Sequence, residues 1–168
     1  MVLLVSCSKN DGNYQWQTIS KTEAFNFLHY TNNIHGMFVA RNVEEMTSDS
    51  YCVPSVEWIE QVYRPALKSF VKDNGVWMPS TPDNNCVKFS SYGYTVGHIL
   101  HAKGEGPRQT SLAIGIVDYS RELFLWHSIN LFIAHDEYGG LKLYYLEPQD
   151  GTQVKNDEVN SQWWAVRM

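Results

Sequence analysis

A predicted β-hairpin in the second half of the chain constrains the fold most strongly. Residues 122–135 alternate between two faces, with leucine and isoleucine at most odd positions, which is typical of a β-strand. Residues 136–140 (Asp-Glu-Tyr-Gly-Gly) form a turn, and residues 141–147 are predicted to return antiparallel to the first strand. Strands are also predicted over residues 111–119 and 162–167.

The first half of the chain is predicted to be mainly helical. Residues 18–31 carry apolar side chains at helical spacing, and so do residues 54–75, where Ser55 is a suitable N-cap. Pro65 is expected to kink or split the second helix. Residues 32–53 are expected to be irregular. Helices first and an antiparallel sheet second indicate an α+β fold.

Cys86 stands at the start of a third predicted helix. Asn84 or Asn85 can cap this helix and place Cys86 in its first turn. The helix dipole and the free N–H groups at such a position favour a thiolate, and a thiolate is a nucleophile. The alternative is a cysteine that only packs in the core.

His127 and Glu147 are predicted to meet across the hairpin. If His135 opposes Gly139, His127 lies directly opposite Glu147. If the loop is two residues longer, His127 opposes Gln149 and Glu147 is one diagonal step away. In both registers the two side chains share a face, so the carboxylate can orient the imidazole. A core histidine and a solvent-exposed glutamate are the alternatives.

Composition excludes some partners and metal sites. A chain of 168 residues is one domain by size, and its net charge of −5 without a Lys/Arg run argues against nucleic acid as the main partner. The three cysteines form no Cys-x-x-Cys pair that would suggest structural zinc. His98 and His101 share a helix face but have no evident third ligand. A metal site that joins either of them to Cys86 is a less favoured hypothesis.

The N-terminus offers two interpretations. Residues 1–7 end in Leu-Val-Ser-Cys, which resembles a bacterial lipobox, and the polar residues 8–12 look like the tether of a lipoprotein. This resemblance implies lipidation of Cys7 and membrane attachment in a cell envelope, with a leader and tether over 1–19 and one domain over 20–168. The segment lacks a basic start and a full apolar stretch, so a short buried strand is the alternative.

Three short motifs resemble those of the papain-like and transglutaminase-like cysteine enzymes. In sequence order they are Asp83-Asn84-Asn85-Cys86-Val87-Lys88-Phe89, Trp126-His127-Ser128-Ile129-Asn130 and Tyr144-Tyr145-Leu146-Glu147-Pro148. The resemblance covers about residues 54 to 150. The use of glutamate as the acid is similar to the cysteine-protease domain of Marasmius-type fungal agglutinins. Two positions depart from the pattern: Asn85 replaces an aspartate found in many relatives, and Ser128 replaces an alanine.

The resemblance implies a fold in which the helix that begins at Cys86 packs on the C-terminal antiparallel sheet. It also implies a Cys-His-Glu triad, in which Cys86 attacks a peptide or amide carbonyl, His127 transfers the proton and Glu147 orients the imidazole. Gln149 is the fallback for that orienting role. The Cys86 N–H is expected to help bind the oxyanion.

Two secondary candidates follow from the resemblance, and several alternatives stay open. Trp77 is the candidate side-chain donor to the oxyanion, and Asn130 belongs to the histidine motif. The sequence does not decide between hydrolysis and acyl transfer to an amine. No cofactor is expected, and the divalent cation known among the agglutinin-type relatives has no clear ligand set here. The main rival function is an inactive, surface-exposed binding module on the same fold.

Overall fold

The computed structural model describes residues 5–6, 14–32, 46–75, 85–105, 109–122, 125–156, 159 and 163–168. The helical segments are α1 (Lys21–Asn32), α2 (Val56–Trp58), a π-helical turn (Ile59–Tyr63), α3 (Arg64–Asp73), α4 (Cys86–Leu100) and a second π-helical turn (His101–Glu105). The strands are β1 (Val5–Ser6), β2 (Trp16–Ser20), β3 (Ser50–Pro54), β4 (Ser111–Leu112), β5 (Ile114–Glu122), β6 (Leu125–His135), β7 (Leu141–Leu146), β8 (Gln153–Val154) and β9 (Trp163–Arg167). The fold is α+β, as the sequence predicts. None of the described helices is both long enough and apolar enough to cross a membrane.

A first sheet has the order β1-β2-β3-β4. The sequence offers a strand near β1 only as the alternative to a leader, and it does not predict β2 or β3. Residues 18–20 were expected to be helical but belong to β2, and residues 50–53 were expected to be irregular but belong to β3. The two strands pair antiparallel from Trp16↔Pro54 to Ser20↔Ser50. The pairing partner is distant in the chain, so local propensity could not reveal it.

The predicted boundary between the leader and tether (1–19) and the domain (20–168) falls inside β2. Residues 16–19, assigned to the tether, are therefore part of the sheet, and Val5 pairs with Thr18. Cys7 lies outside the described residues, so its lipidation and the cell-envelope location stay predictions. Ser20 is the N-cap of α1: its hydroxyl accepts from the Glu23 N–H, and the Glu23 carboxylate accepts from the Ser20 N–H.

The second sheet has the order β8-β7-β6-β5-β9 and contains the predicted hairpin. His135 pairs with Leu141 and Asn130 pairs with Leu146, so the hairpin adopts the longer of the two predicted loops. Gly139 lies in this loop with a φ of 81°, a left-handed value that suits glycine. The register places Glu147 on the diagonal from His127.

The proline-containing helix is split, as the sequence predicts. Ser55 caps its start and accepts a hydrogen bond from the Trp58 N–H at 3.1 Å. The chain then passes through the π-helical turn before α3, which carries Pro65 in its first turn. A wider turn here accommodates a residue that has no N–H to donate.

Side chains of β6 pack on both faces of the second sheet. Ile129 and Leu131 belong to one buried cluster, which includes Ala24 of α1. Phe132 belongs to a second cluster, which includes Phe89 of α4. The helix that begins at Cys86 therefore packs against the face formed by the even-numbered residues of β6, and α1 lies on the side of the odd-numbered residues.

Candidate active site

Cys86 is the first residue of α4, as the sequence predicts. The helix is capped by Asn85, whose backbone is extended and whose side-chain oxygen accepts from the Lys88 N–H at 3.3 Å. Asn84, the other predicted cap, lies outside the described residues. Cys86 is a free, partly exposed cysteine. Its position at the helix start places the thiol near the positive end of the helix dipole.

His127 and Glu147 meet, as the hairpin geometry predicts. His127 Nε2 and Glu147 Oε2 are 2.5 Å apart, and the two side chains are 14% and 18% exposed. The imidazole ring also lies edge-on to the ring of Tyr119, with 5.8 Å between centroids. A histidine held on both sides in this way has a fixed ring orientation.

The backbone after β7 holds the Glu147 carboxylate in place. Glu147 exchanges two backbone hydrogen bonds with the following turn, donating to Thr152 O and accepting from the Gly151 N–H, each at 2.8 Å. Glu147 Oε1 accepts from the backbone N–H of Gln149 at 3.4 Å. Glu147 thus takes the orienting position for which Gln149 was the fallback, and Gln149 supports it through its backbone.

Cys86 and His127 approach the site from different sides of the sheet. The His127 ring packs with Tyr119 on the odd-numbered face of β6, while α4 covers the even-numbered face. Among the described contacts, no hydrogen bond joins the Cys86 thiol to His127. The pairing of β5 with β6 shifts between Ser120 and Glu122, next to the start of β6.

Ser90 fastens the first turns of α4 to β6. Its hydroxyl lies 2.8 Å from the Cys86 carbonyl oxygen and 2.7 Å from the Ser128 carbonyl oxygen. The helix turn that carries Cys86 is therefore attached to the residue that follows His127. The sequence alone does not distinguish Ser90, because a serine four residues after a cysteine indicates nothing until the facing strand is known.

Asn130 has a structural position. It is fully buried, its Nδ2 donates to Ser90 O at 2.8 Å, and its Oδ1 accepts from the Tyr63 hydroxyl at 3.4 Å. Gly93 makes this close approach possible, because a Cβ there would lie only 1.9 Å from Asn130 Oδ1. Asn130 therefore holds α4 against the sheet. Trp77, the predicted oxyanion donor, lies outside the described residues.

Asp118 lies on β5 beside the strand that carries His127, and the sequence alone does not distinguish it either. Its carboxylate accepts from the Ser128 hydroxyl at 2.5 Å and forms an ion pair with Arg167 at 2.8 Å. Ser128 is buried, so this hydrogen bond satisfies a hydroxyl that water cannot reach easily. These contacts stiffen β6 directly next to His127.

The hypothesis of a metal site that combines Cys86 with His98 or His101 is wrong. His98 lies twelve residues after Cys86 on the same helix, which corresponds to about 18 Å along the axis. The described residues also contain no group of three or more His, Cys, Asp or Glu that could hold a metal ion. His98 instead packs against Tyr94, with 4.4 Å between ring centroids. Burial, followed by the nearby charge of His101, lowers the pKa of His98.

No protein-family model matches the chain, and no curated protein matches it. Solved structures do share its fold. A PSL1a-E64 complex aligns with a TM-score of 0.62 at 14% identity, over 90% of this chain and 50% of that one. A Polyporus squamosus lectin bound to a human-type influenza-binding epitope aligns with a TM-score of 0.56 at 13% identity, over 96% of this chain and 55% of that one. The chain thus spans about half the length of these fungal neighbours.

Proposed function

We propose that this protein is a papain- or transglutaminase-like cysteine enzyme that acts on a peptide or amide bond. The observation that carries the proposal is the 2.5 Å contact between His127 and Glu147, close to a helix that begins with a partly exposed cysteine. A carboxylate on one ring nitrogen fixes the tautomer and the orientation of the ring. The Ser90 contacts bring the start of α4 next to β6, so the three groups lie at the same end of the sheet.

In this proposal each ring nitrogen of His127 has its own role. Because Nε2 faces Glu147, Nδ1 is the atom that would take the proton from the Cys86 thiol. The thiolate would then attack the carbonyl carbon, and the imidazolium would protonate the leaving amine as the C–N bond breaks. Water would cleave the thioester in hydrolysis, and a second amine would do so in acyl transfer. The Cys86 N–H at the helix start is available to the oxyanion.

The separation of Cys86 from His127 is compatible with this proposal. Catalytic hydrogen bonds are often long or misaligned until substrate binds. The PSL1a neighbour was solved with E64, which also supports the proposal. E-64 is an epoxysuccinyl reagent that alkylates reactive thiols, and it is therefore a suitable probe for Cys86.

The proposal is tested by the reactivity of Cys86 toward iodoacetamide and E-64 from about pH 5 to pH 9, a range that spans the ordinary thiol pKa. Wild type, His127→Ala and the control variant His29→Ala would be compared, with the labelled cysteine located by mass spectrometry. We expect fast labelling at neutral pH that His127→Ala slows and His29→Ala does not. If labelling rises only in the alkaline range and is the same in wild type and His127→Ala, the proposal of a cysteine enzyme is refuted.

A catalytically inactive binding module is the second candidate function. The observation that favours it is the placement of His127 and α4 on different faces of the sheet. Trp126, beside His127, is 53% exposed and could contact a ligand, and one neighbour is a lectin bound to a glycan epitope. If this candidate is right, His127→Ala leaves the reactivity of Cys86 unchanged, while Trp126→Ala weakens binding on a glycan or peptide array.

A further inference from the structure

We propose that Ser90 is a positioning residue that sets the approach of Cys86 to His127. This inference rests on the proposed function, because it concerns how the same thiol is activated. Ser90 is fully buried one helical turn after Cys86 and faces the strand that carries His127. Its hydroxyl is within hydrogen-bonding distance of the carbonyl oxygens of Cys86 and Ser128, at 2.8 and 2.7 Å.

The Ser90 hydroxyl has one proton to donate, and it is available to the Ser128 carbonyl oxygen. In an α-helix the carbonyl of residue 86 accepts from the backbone N–H of residue 90, so Cys86 O has a donor without the hydroxyl. Continuing the β6–β7 register places residue 148 opposite Ser128, and Pro148 has no N–H to donate. The Ser90 hydroxyl therefore supplies Ser128 O with a donor that the neighbouring strand lacks.

A second hydrogen bond makes the connection rigid. Asn130 Nδ2 donates to Ser90 O at 2.8 Å, so the backbone and the side chain of Ser90 both bind β6, on either side of Ile129. The Ser128 hydroxyl is in turn bound by Asp118. The strand side of this connection is thus fixed, and the helix start cannot slide along β6 without breaking buried hydrogen bonds.

The Ser90–Ser128 hydrogen bond lies close to both Cys86 and His127, so its loss is expected to affect their approach. Cys86 and His127 are each one step from this connection, Cys86 through its carbonyl and His127 through its peptide bond to Ser128. Losing the Ser90 hydroxyl would let the helix start move, and a displacement of about 1 Å can cost on the order of a hundred-fold in rate. Ser90 would not touch substrate, so it acts only through the position of Cys86.

The chain provides a matched control in Ser91. Its hydroxyl donates to the Val87 carbonyl at 2.9 Å, the same contact within the helix, but Ser91 is exposed and makes no described bond to β6. Ser91→Ala therefore removes a serine hydroxyl bond within α4, as Ser90→Ala does, but it leaves the hydrogen bond from α4 to β6 in place. Ser90→Thr keeps the hydroxyl and serves as the conservative rescue variant.

The experiment measures Cys86 alkylation by iodoacetamide as a function of pH in a double-mutant cycle with His127→Ala. We expect Ser90→Ala to slow labelling at neutral pH by about ten- to a hundred-fold, Ser91→Ala to have no effect, and Ser90→Thr to restore most of the rate. In the His127→Ala background we expect Ser90→Ala to change nothing further, because Ser90 positions Cys86 relative to the His127 ring and that ring is then absent. A merely structural role would give the same reduction in both backgrounds.

The outcomes separate the two proposals. If His127→Ala does not slow labelling of the otherwise wild-type protein, the proposed function fails. If His127→Ala slows labelling but Ser90→Ala behaves like Ser91→Ala, only the role of Ser90 is overturned. Asn130→Ala removes the other bond to Ser90 and is the second test should Ser90→Ala not fold. If Asn130→Ala slows Cys86 labelling only when His127 is present, the role of Ser90 is supported. If Asn130→Ala labels at the wild-type rate, that role is overturned.

Discussion

Glu147 binds His127 at 2.5 Å although the two residues are not opposite each other in the sheet. Continuing the register from Asn130↔Leu146 places Gln149 opposite His127, and Glu147 reaches the ring from the diagonal position. The chain can turn the carboxylate inward because β7 ends at Leu146 and the following turn fixes the Glu147 backbone. The acid of the proposed triad therefore depends on where a strand ends as well as on its register.

The charge of Glu147 is expected to matter for thiol reactivity. Glu147→Gln keeps an acceptor for His127 Nε2 but removes the negative charge beside the ring. We expect Cys86 labelling near neutral pH to fall at least about tenfold, within the usual range for acid–base groups. Gln149→Ala is the control, since Gln149 contacts Glu147 through its backbone. Equal labelling rates in wild type and Glu147→Gln would leave Glu147 with a structural role only.

The close approach of α4 to β6 is expected to make Gly93 intolerant of substitution. A Cβ at this position would lie 1.9 Å from Asn130 Oδ1 and 2.8 Å from the Tyr63 hydroxyl. We expect Gly93→Ala to lower the free energy of unfolding by about 1 to 3 kcal/mol, despite the better helix propensity of alanine. Urea denaturation measures this change.

Gly97→Ala is the matched control for Gly93→Ala. Its Cβ would lie 3.0 Å from the ends of the Ile114 and Leu112 side chains, which can shift, and 3.4 Å from the Tyr63 ring. We expect a smaller loss for Gly97→Ala than for Gly93→Ala. The reverse order would mean that the helix lies farther from Asn130 than the structure indicates.

The N-cap of α2 is expected to contribute to stability. Ser55 is nearly buried, and its hydroxyl accepts from the Trp58 N–H at 3.1 Å. Ser55→Ala leaves that N–H without its acceptor and should lower the free energy of unfolding by about 1 to 2 kcal/mol. Ser69→Ala, an exposed serine on α3 that bonds Asp73, should change it by less than about 0.5 kcal/mol. Thermal unfolding of the three proteins would show a shift for Ser55→Ala alone.

His98 is expected to make the fold sensitive to acid. Burial, and then the charge of His101, lower the pKa of His98 below its ordinary value of 6.5, so the folded state favours the neutral ring. As pH falls through the unfolded value, the unfolded chain binds a proton that the folded chain resists, and stability is lost until the pH reaches the folded pKa. His98→Phe keeps a ring beside Tyr94 and should reduce this loss.

The measurement for His98 is the urea midpoint at about pH 7.5 and about pH 5, which bracket the ordinary pKa of histidine. The difference between the two midpoints should be smaller in His98→Phe than in wild type. His29→Gln on α1 is the control for removing a histidine elsewhere. If His98→Phe and wild type lose stability equally in acid, another group is responsible.

Local patterns in the sequence predict much of this protein. Period-two alternation identified β6 and its hairpin, and the two-residue period fixed the shared face of His127 and Glu147 in either register. Capping preferences placed Ser55 and Cys86 at helix starts, and both predictions are confirmed. These features need only neighbouring residues, because caps and strand parity are determined by the backbone within a few positions.

Only the tertiary structure decided which element covers which face. The early strands β2 and β3 were missed because each is stabilised by the other over thirty positions away in the chain. The alternation along β6 could not tell that α4 lies on the Ser128 side and the His127 ring on the other. Nor could it show that Ser90 and Ser128 meet, since that contact spans 38 residues. Local periodicity specifies two faces of a strand, but long-range packing chooses what each face contacts.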